Sequence, residues 1–316
     1  MDPWSVEYEP ELPLDVAADG IIENVVLDVE LNPGEWRPVV PASARVFDTL
    51  HFVDGVRRID ARLLVHKAKQ LCHGAFGCTA VGAVQVTAGE TRCTDPVIER
   101  LVALGSGETL PAPVVASRDL VYRPATWPEP DVDGPLRAVQ QRMRDIEETV
   151  IRRLAEDERS LVVVDGPLSY AHPVRGNVLG YIKRIVQLYL PVRYTSIVSD
   201  LPVGGRTPLF EITHMKRGRY SWFQRISAPH RGDSYLAGIV RMEVSSQIGT
   251  DAGRQLADAA AVILPKFAPP CTRDPRALRN LLPIGALESH LRRLLGDPRL
   301  TRRRIESVIA DEAKHG

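Results

Sequence analysis

Apolar and polar positions change rhythm several times along the chain, and each rhythm predicts an element. ARVFDTLHFV from Ala44 and VRRIDARLLV from Val56 are short β-rich runs separated by Asp54-Gly55, and AFGCTAVGAVQV from Ala75 is a third. Such runs joined by Gly-containing turns predict an antiparallel meander, with Asp54 where the first strand gives way to the second. Residues 105–135, rich in Gly, Pro and Ser, read as a surface loop. In LRAVQQRMRDIEETVIRRLAEDE, Leu136, Val139, Met143, Ile146, Val150 and Leu154 recur at helical spacing, and this helix feeds into LVVVDGPL, a buried strand that ends on Asp165. Further on, NVLGYIKRIVQLYL predicts a second helix ended by Pro191, and YSWFQRIS and YLAGIVRMEV predict two strands. RQLADAAAVIL predicts a helix, KFAPPCTRDPR a proline-rich connection, and NLLPIGALESHLRRLLGD a last amphipathic helix capped by Gly296. Near the start, NVVLDVEL alternates as a strand and PGEW turns.

Three strands, a helix, then a strand ending in aspartate is an order in which the first and fourth strands can lie side by side, so that Asp54 and Asp165 face each other. Two carboxylates that close repel unless a cation lies between them, and a hard divalent ion with oxygen ligands is the natural occupant. The helix offers Glu147 and Glu148. With Val139, Met143, Ile146 and Val150 as the buried stripe, at about 100° per residue, Glu147 sits on its flank and Glu148 points nearly the opposite way. Glu288 flanks the stripe of Ile284, Leu287, Leu291 and Leu294 on the last helix. Four such acids would hold two ions about 4 Å apart, the arrangement that serves in-line displacement at phosphorus. Taken singly, each acid is an ordinary turn former, cap or solvated helix residue.

Composition adds bounds. A 316-residue chain, 44% apolar and 25% charged, is long enough for one α/β domain with appendages. With no run of 18 apolar residues and no signal-peptide pattern at its start, the expected location is cytoplasmic, with no membrane association. Cys72, Cys78, Cys93 and Cys271 are scattered; Cys72, His73 and Cys78 could clip a metal, although free cysteines more often serve as small buried hydrophobes. The formal net charge of zero is unevenly spread: residues 1–36 hold ten acids and no Lys or Arg, which leaves 30 acids against 40 bases in the other 280 residues. Residues 1–44 read as an acidic arm or strand and 45–316 as the main domain, the excess of bases in the body suiting a polyanion although a solvated surface with surplus arginine would look the same.

KRGRYSWFQRISAPHR interleaves Lys216, Arg217, Arg219, Arg225 and Arg231 with Tyr220, Trp222 and Phe223. A positive groove with aromatic rings suits single-stranded nucleic acid; a strand with one face buried accounts for the alternation equally well. Lys183 and Arg184 follow the Asp165 strand closely and could contact a scissile phosphate, with Tyr181 stacked beside them; a helix pointing its lysine into solvent is the alternative. The arginines from Arg273 to Arg304 could guide DNA or meet an acidic partner.

Val53-Asp54-Gly55, MRDIE at 143–147, LVVVDGPL, Gly180-Tyr181-Ile182-Lys183 and the closing RDPRALRNLLPIGALESHLRRLLGD resemble the NurA nuclease family, over about residues 45–300. The resemblance implies an α/β fold with a ribonuclease-H-like mixed sheet flanked by helices, a homodimer, Mn²⁺ or Mg²⁺ as cofactor, DNA as substrate, and a HerA-like hexameric ATPase as partner. It implies metal-binding and catalytic roles for Asp54, Glu147 and Asp165. The last motif departs from the family pattern: many NurA proteins carry a histidine after a proline-containing segment, where this chain has Glu288 after Pro283 and His290 two residues on. The expected activity is a metal-dependent DNA nuclease, exonuclease and single-strand endonuclease, in DNA end processing or phage defence. Two other classes remain: a catalytically inactive ribonuclease-H-like adaptor for an ATPase ring, and an ATP-dependent phosphotransferase, for which LPVGGR at 201–206 is the one glycine-rich candidate loop.

Overall fold

The computed structural model describes residues 2–3, 24–67, 70–94, 96–168, 174–185, 187–214, 217–229, 235–269 and 278–315. The first strands are β1 (Asp2–Pro3), β2 (Asn24–Val26), β3 (Thr49–Lys67), β4 (Gln70–Thr87), β5 (Glu90–Cys93), β6 (Val97–Leu104), β7 (Val114–Ser117) and β8 (Leu120–Thr126). Helix α1 (Gly134–Leu154) leads to β9 (Ser160–Asp165) and β10 (Val178–Ile182). Then come α2 (Thr195–Ser199), β11 (Phe210–His214), β12 (Arg217–Arg225), β13 (Ile239–Ser245), α3 (Thr250–Ile263), α4 (Leu282–Leu294) and α5 (Pro298–His315). The strands form one mixed sheet in the order β2-β11-β12-β13-β10-β9-β3-β4-β6-β8-β7, with β1 beside β3 and β5 beside β4. Pairs β3/β9, β9/β10 and β6/β8 are parallel, and the others are antiparallel.

The sheet differs from expectation at its centre. No turn occurs at Asp54-Gly55: the two predicted strands are one, β3, paired to β4 from Thr49↔Thr87 to Lys67↔Gln70. Asp54 and Gly55 both lie opposite β4, at Gly82 and Val81, so their backbone is held extended by the ladder. Asp54 is therefore mid-strand. The one irregularity falls between Ile59 and Ala61, where Asp60 bulges. NVLGYIKRIVQLYL does not form a helix either. Its first part is β10, parallel to β9 and antiparallel to β13, and all five residues are buried. A strand covered on both faces has a continuous apolar run, which periodicity alone does not separate from a buried helix. The expected loop at 105–135 contains β7 and β8, and of the arginines toward the C-terminus Arg292 and Arg293 lie on α4 and Arg302, Arg303 and Arg304 on α5.

Strand alternation sends neighbouring residues to opposite faces of the sheet, and the cores follow it. Phe52, Val163, Leu179, Tyr181, Trp222 and Met242 pack with Leu256 and Ala260 of α3 and with Ile284, Leu287 and Leu291 of α4. Val53, Val81, Val162, Val164 and Val178 pack on the other face with Met143, Ile146, Val150 and Ile151 of α1. The far half of the β3–β4 ribbon packs through Leu63 and Phe76, together with Val102 of β6, onto Ile305 and Ile309 of α5. Two helices thus grip β3 from opposite sides near Asp54.

Within the acidic segment, β2 adds to the sheet edge beside β11, and Trp36 packs with Tyr194 and Phe210. Glu30 receives two hydrogen bonds of 2.8 Å from the fully buried Arg206, which also donates to Asp258. The acidic segment from Asn24 onward is thereby fastened to a basic residue of the body. No helix among the described residues is long and apolar enough to cross a membrane.

Candidate active site

Register brings the two aspartates together. Strand β9 runs parallel to β3 from Thr49↔Ser160 to Val53↔Val164, so the next step along both strands carries Asp54 and Asp165. Alternation puts Asp54 on the side of Phe52, and Asp165 on the side of Val163, and both of those belong to the α4-side core. The same dipeptide serves two different needs here. After Asp165, Gly166 has φ +114°, a conformation glycine adopts without strain, and its N–H donates to the Tyr181 carbonyl at 2.9 Å as the chain leaves the strand. After Asp54, Gly55 stays in the strand, and its missing side chain is what counts. A Cβ there would collide with Glu147 Oε1 and stand 3.0 Å from Met143 Cγ.

Glu147 therefore reaches the sheet from the opposite side, over the backbone of Gly55. It is 9% exposed, on the buried face of α1, whereas Glu148 is turned to Arg152, which donates to it at 2.7 Å. Burial pushes Glu147 up to about 7, with Arg144 opposing the shift and Asp165 adding to it. Asp54 is pushed well above the ordinary carboxylate range by burial, then by the charges of Asp165 and Glu147; Lys183 opposes and Glu288 adds. Asp165 is raised by burial against the lowering influence of Lys183, whose ammonium donates to Oδ2 at 2.7 Å. Asp54, Glu147 and Asp165 thus form one electrostatic cluster, in which each carboxylate feels at least one other.

Glu288 belongs to the periphery. Its side chain is 40% exposed and accepts from Arg292 at 2.8 Å one turn on, although its charge reaches both aspartates. His290 is half-buried on the same helix. As they stand, no three His, Cys, Asp or Glu side chains among the described residues converge closely enough to hold an ion. The four-acid, two-ion cluster expected from spacing is not assembled among the described residues: Arg292 pairs with Glu288, Lys183 pairs with Asp165, and Glu147 comes to the sheet from the opposite face. The donor chemistry nevertheless fits a hard divalent cation: carboxylates crowded at low solvation, with mutual repulsion that such a cation would relieve.

The predicted stacking platform is a correction. Trp222 is fully buried and donates Nε1 to Gln224 at 3.2 Å; Tyr220 packs on Gly253 with its hydroxyl 3.2 Å from Thr250. Arg225 is buried and caps carbonyls, donating to Leu201 at 2.6 Å, Ala237 at 2.5 Å and Ser199 at 2.7 Å. Strand β12 lies inside the sheet between β11 and β13, so the alternation reflects two covered faces. Tyr181 is likewise buried and donates to the Arg279 carbonyl at 2.6 Å, so it has no free ring face for a base. Arg219 pairs with Glu243 at 3.4 Å, Arg184 is exposed, and Arg217 sits in β12 opposite His214, its side chain outside the described residues. Lys216, Arg231, Arg273 and Arg276 also lie outside them. The Cys72, His73 and Cys78 clip does not form: Cys72 and Cys78 are six residues apart on β4, about 20 Å at strand rise, and both are buried.

Two organising residues carried no prior expectation. Glu243, buried and held by Arg241 at 2.5 Å, accepts the N–H of Leu168 at 3.3 Å, three residues beyond Asp165. A lone glutamate in the apolar run IVRMEV was its signal. Arg58 donates to Asp60 at 2.7 Å and to the carbonyls of Gly296 at 2.6 Å and Leu295 at 3.1 Å, tying β3 to the end of α4. Asp60 also accepts from Tyr122 at 2.8 Å. Asp60 sits at the bulge of β3 and is buried.

Comparison with known proteins finds no matching family model and no matching curated protein. Among solved structures the chain is similar to a NurA determined with manganese, at 13% identity and a TM-score of 0.20, over 42% of this chain and 23% of that one. It is similar also to the NurA nuclease from Sulfolobus solfataricus, at 10% identity and a TM-score of 0.42, over 83% of this chain and 86% of that one.

Proposed function

We propose that this chain is a metal-dependent DNA nuclease with a ribonuclease-H-like core. The observation behind it is the convergence of Asp54 and Asp165, from adjacent parallel strands, with Glu147 reaching over Gly55. Asp54, Glu147 and Asp165 are the residues that would hold Mn²⁺ or Mg²⁺, with Glu288 or His290 as the outer member. When bound, such ions supply Lewis-acid activation of water and neutralisation of charge at phosphorus. The chain's own part is positional. Strand pairing fixes the two aspartates relative to each other, and the hydrogen bond from Gly55 N to Asp54 Oδ1, 2.8 Å, orients one of them. Lys183, bonded to Asp165, and the exposed Arg184 that follows it are the cations that would meet a phosphate.

The excess of bases over acids after residue 36 supports a polyanionic substrate. The family resemblance supports a dimer, a HerA-like hexameric ATPase as partner, and a role in DNA end processing or phage defence. Replacing Asp54 or Asp165 by asparagine is expected to lower Mn²⁺-dependent cleavage of DNA at least about a hundredfold while the circular dichroism spectrum is kept. Undiminished cleavage by both variants would remove the proposal. A non-catalytic adaptor for an ATPase ring is the second reading, favoured by the Lys183 ammonium already bonded to Asp165. Turnover by the purified wild-type protein in Mn²⁺ rejects it.

A further inference from the structure

Lys183 directly follows β10, which lies beside β9 with Tyr181 opposite Asp165. Its backbone is fastened: its carbonyl accepts from Arg279 Nη1 at 3.0 Å, and Arg279 also donates to Leu236 at 2.9 Å and receives the Tyr181 hydroxyl on its own carbonyl. From this anchored stem the ammonium donates to Asp165 Oδ2 at 2.7 Å. It is also close enough to Asp54 for its charge to be felt there. The ammonium therefore sits on a carboxylate oxygen of Asp165 that a bound cation would use, and its charge also reaches Asp54. An ammonium is a compact, mobile point charge, and it competes with any ion for the lone pairs it uses.

We propose that Lys183 is a resident counter-cation, which holds Asp165 while no divalent ion is bound and must leave Asp165 Oδ2 before an ion binds there. The inference rests on Asp165 being a metal ligand. It follows that the lysine weakens metal binding and stabilises the metal-free protein. It also follows that ion binding releases an ammonium beside the site, free to meet a phosphate oxygen.

The test is Mn²⁺ binding to the full-length protein by isothermal titration calorimetry and by loss of the free-ion electron paramagnetic resonance signal. Lys183→Met, which keeps the stem and removes the charge, is expected to bind Mn²⁺ about tenfold tighter or more, in line with the effect of one adjacent charge on a carboxylate. Without metal it should melt below wild type, and Mn²⁺ should restore the difference. Lys183→Arg, with the charge kept, should stay near wild-type affinity. A measurement that needs no variant is amine labelling of the wild-type protein read by mass spectrometry: modification of Lys183 should rise when Mn²⁺ is added. If Asp165→Asn loses Mn²⁺ while Lys183→Met binds no tighter, or if labelling is unchanged by Mn²⁺, the counter-cation role falls and the nuclease proposal stands. If Asp165→Asn binds Mn²⁺ as wild type does, Asp165 is no ligand and both proposals fall.

Discussion

A side chain at position 55 would have to share its space with the Glu147 carboxylate, so the smallest residue decides whether an acid from α1 reaches the strand beside Asp54. Gly55→Ala is expected to push Glu147 off the sheet and cut cleavage about tenfold or more, with the strand kept, because the backbone at 55 is extended and tolerates alanine. Steady-state cleavage beside a thermal melt checks this, and full activity with an unchanged melt would contradict it. Protonation gives a second handle on Glu147. Its folded-state value of about 7 lies above the ordinary 4.5, so the folded protein binds the proton more tightly than the unfolded chain does. The metal-free protein should therefore lose stability as pH rises from about 4.5 to about 7, by about 3 kcal/mol at most from this group. The raised values of Asp54 and Asp165 act in the same direction. Glu147→Gln should flatten the dependence of the urea midpoint on pH in metal-free buffer; an unchanged slope would show that burial does not perturb the group.

Between elements, what matters is how α1 and α4 are held against β3. Helix α1 packs through the stripe its spacing announces: Leu136, Val139, Met143, Ile146 and Val150 are all buried. Helix α4 depends also on a polar clamp, in which Arg58 joins the carbonyls at its C-terminal end to the buried Asp60. Arg58→Ala removes those bonds and leaves Asp60 buried without its cation. The expected loss is about 3 kcal/mol or more, read from the urea midpoint, whereas Arg302→Ala, on the half-exposed surface of α5, should cost under about 1 kcal/mol. Equal effects would mean that Asp60 is satisfied by Tyr122 alone. The helices were legible because a 3.6-residue rhythm needs only local information, as in α1, α3 and α4. Strand β10 was not, since VLGYI is buried by neighbours distant in sequence and shows no rhythm of its own. For the same reason the basic and aromatic alternation of β12 looked like a binding groove although it is a ladder covered on both sides.

At the scale of the whole molecule, 40 bases against 30 acids after residue 36 predict a DNA affinity governed by counterion release. Binding of a short DNA should weaken as salt rises, with a log–log slope of about −0.9 per phosphate neutralised on duplex and about −0.7 on single strands. Fluorescence anisotropy over a range of salt concentrations checks this, and a flat profile would exclude a backbone-reading surface. The acidic segment does not cancel this charge uniformly, because Glu30 is spent on Arg206 at the sheet edge.

Sequence by itself determined the local parts: the stripe of α1, the choice of Glu147 over Glu148 as its inward acid, the buried run that ends on Asp165, and the charge imbalance. Periodicity and composition carry these, and both act over a few residues. Only tertiary structure decided that Asp54 sits mid-strand, that Gly55 makes room for a carboxylate from the other face, that Lys183 holds Asp165, and that Trp222, Tyr220 and Tyr181 are core. Each of these depends on strand register and on which faces are covered, and those are set by pairings between separate strands, such as Asp54 with Gly82, Tyr181 with Met242 and Val53 with Val164, which no local window of sequence contains.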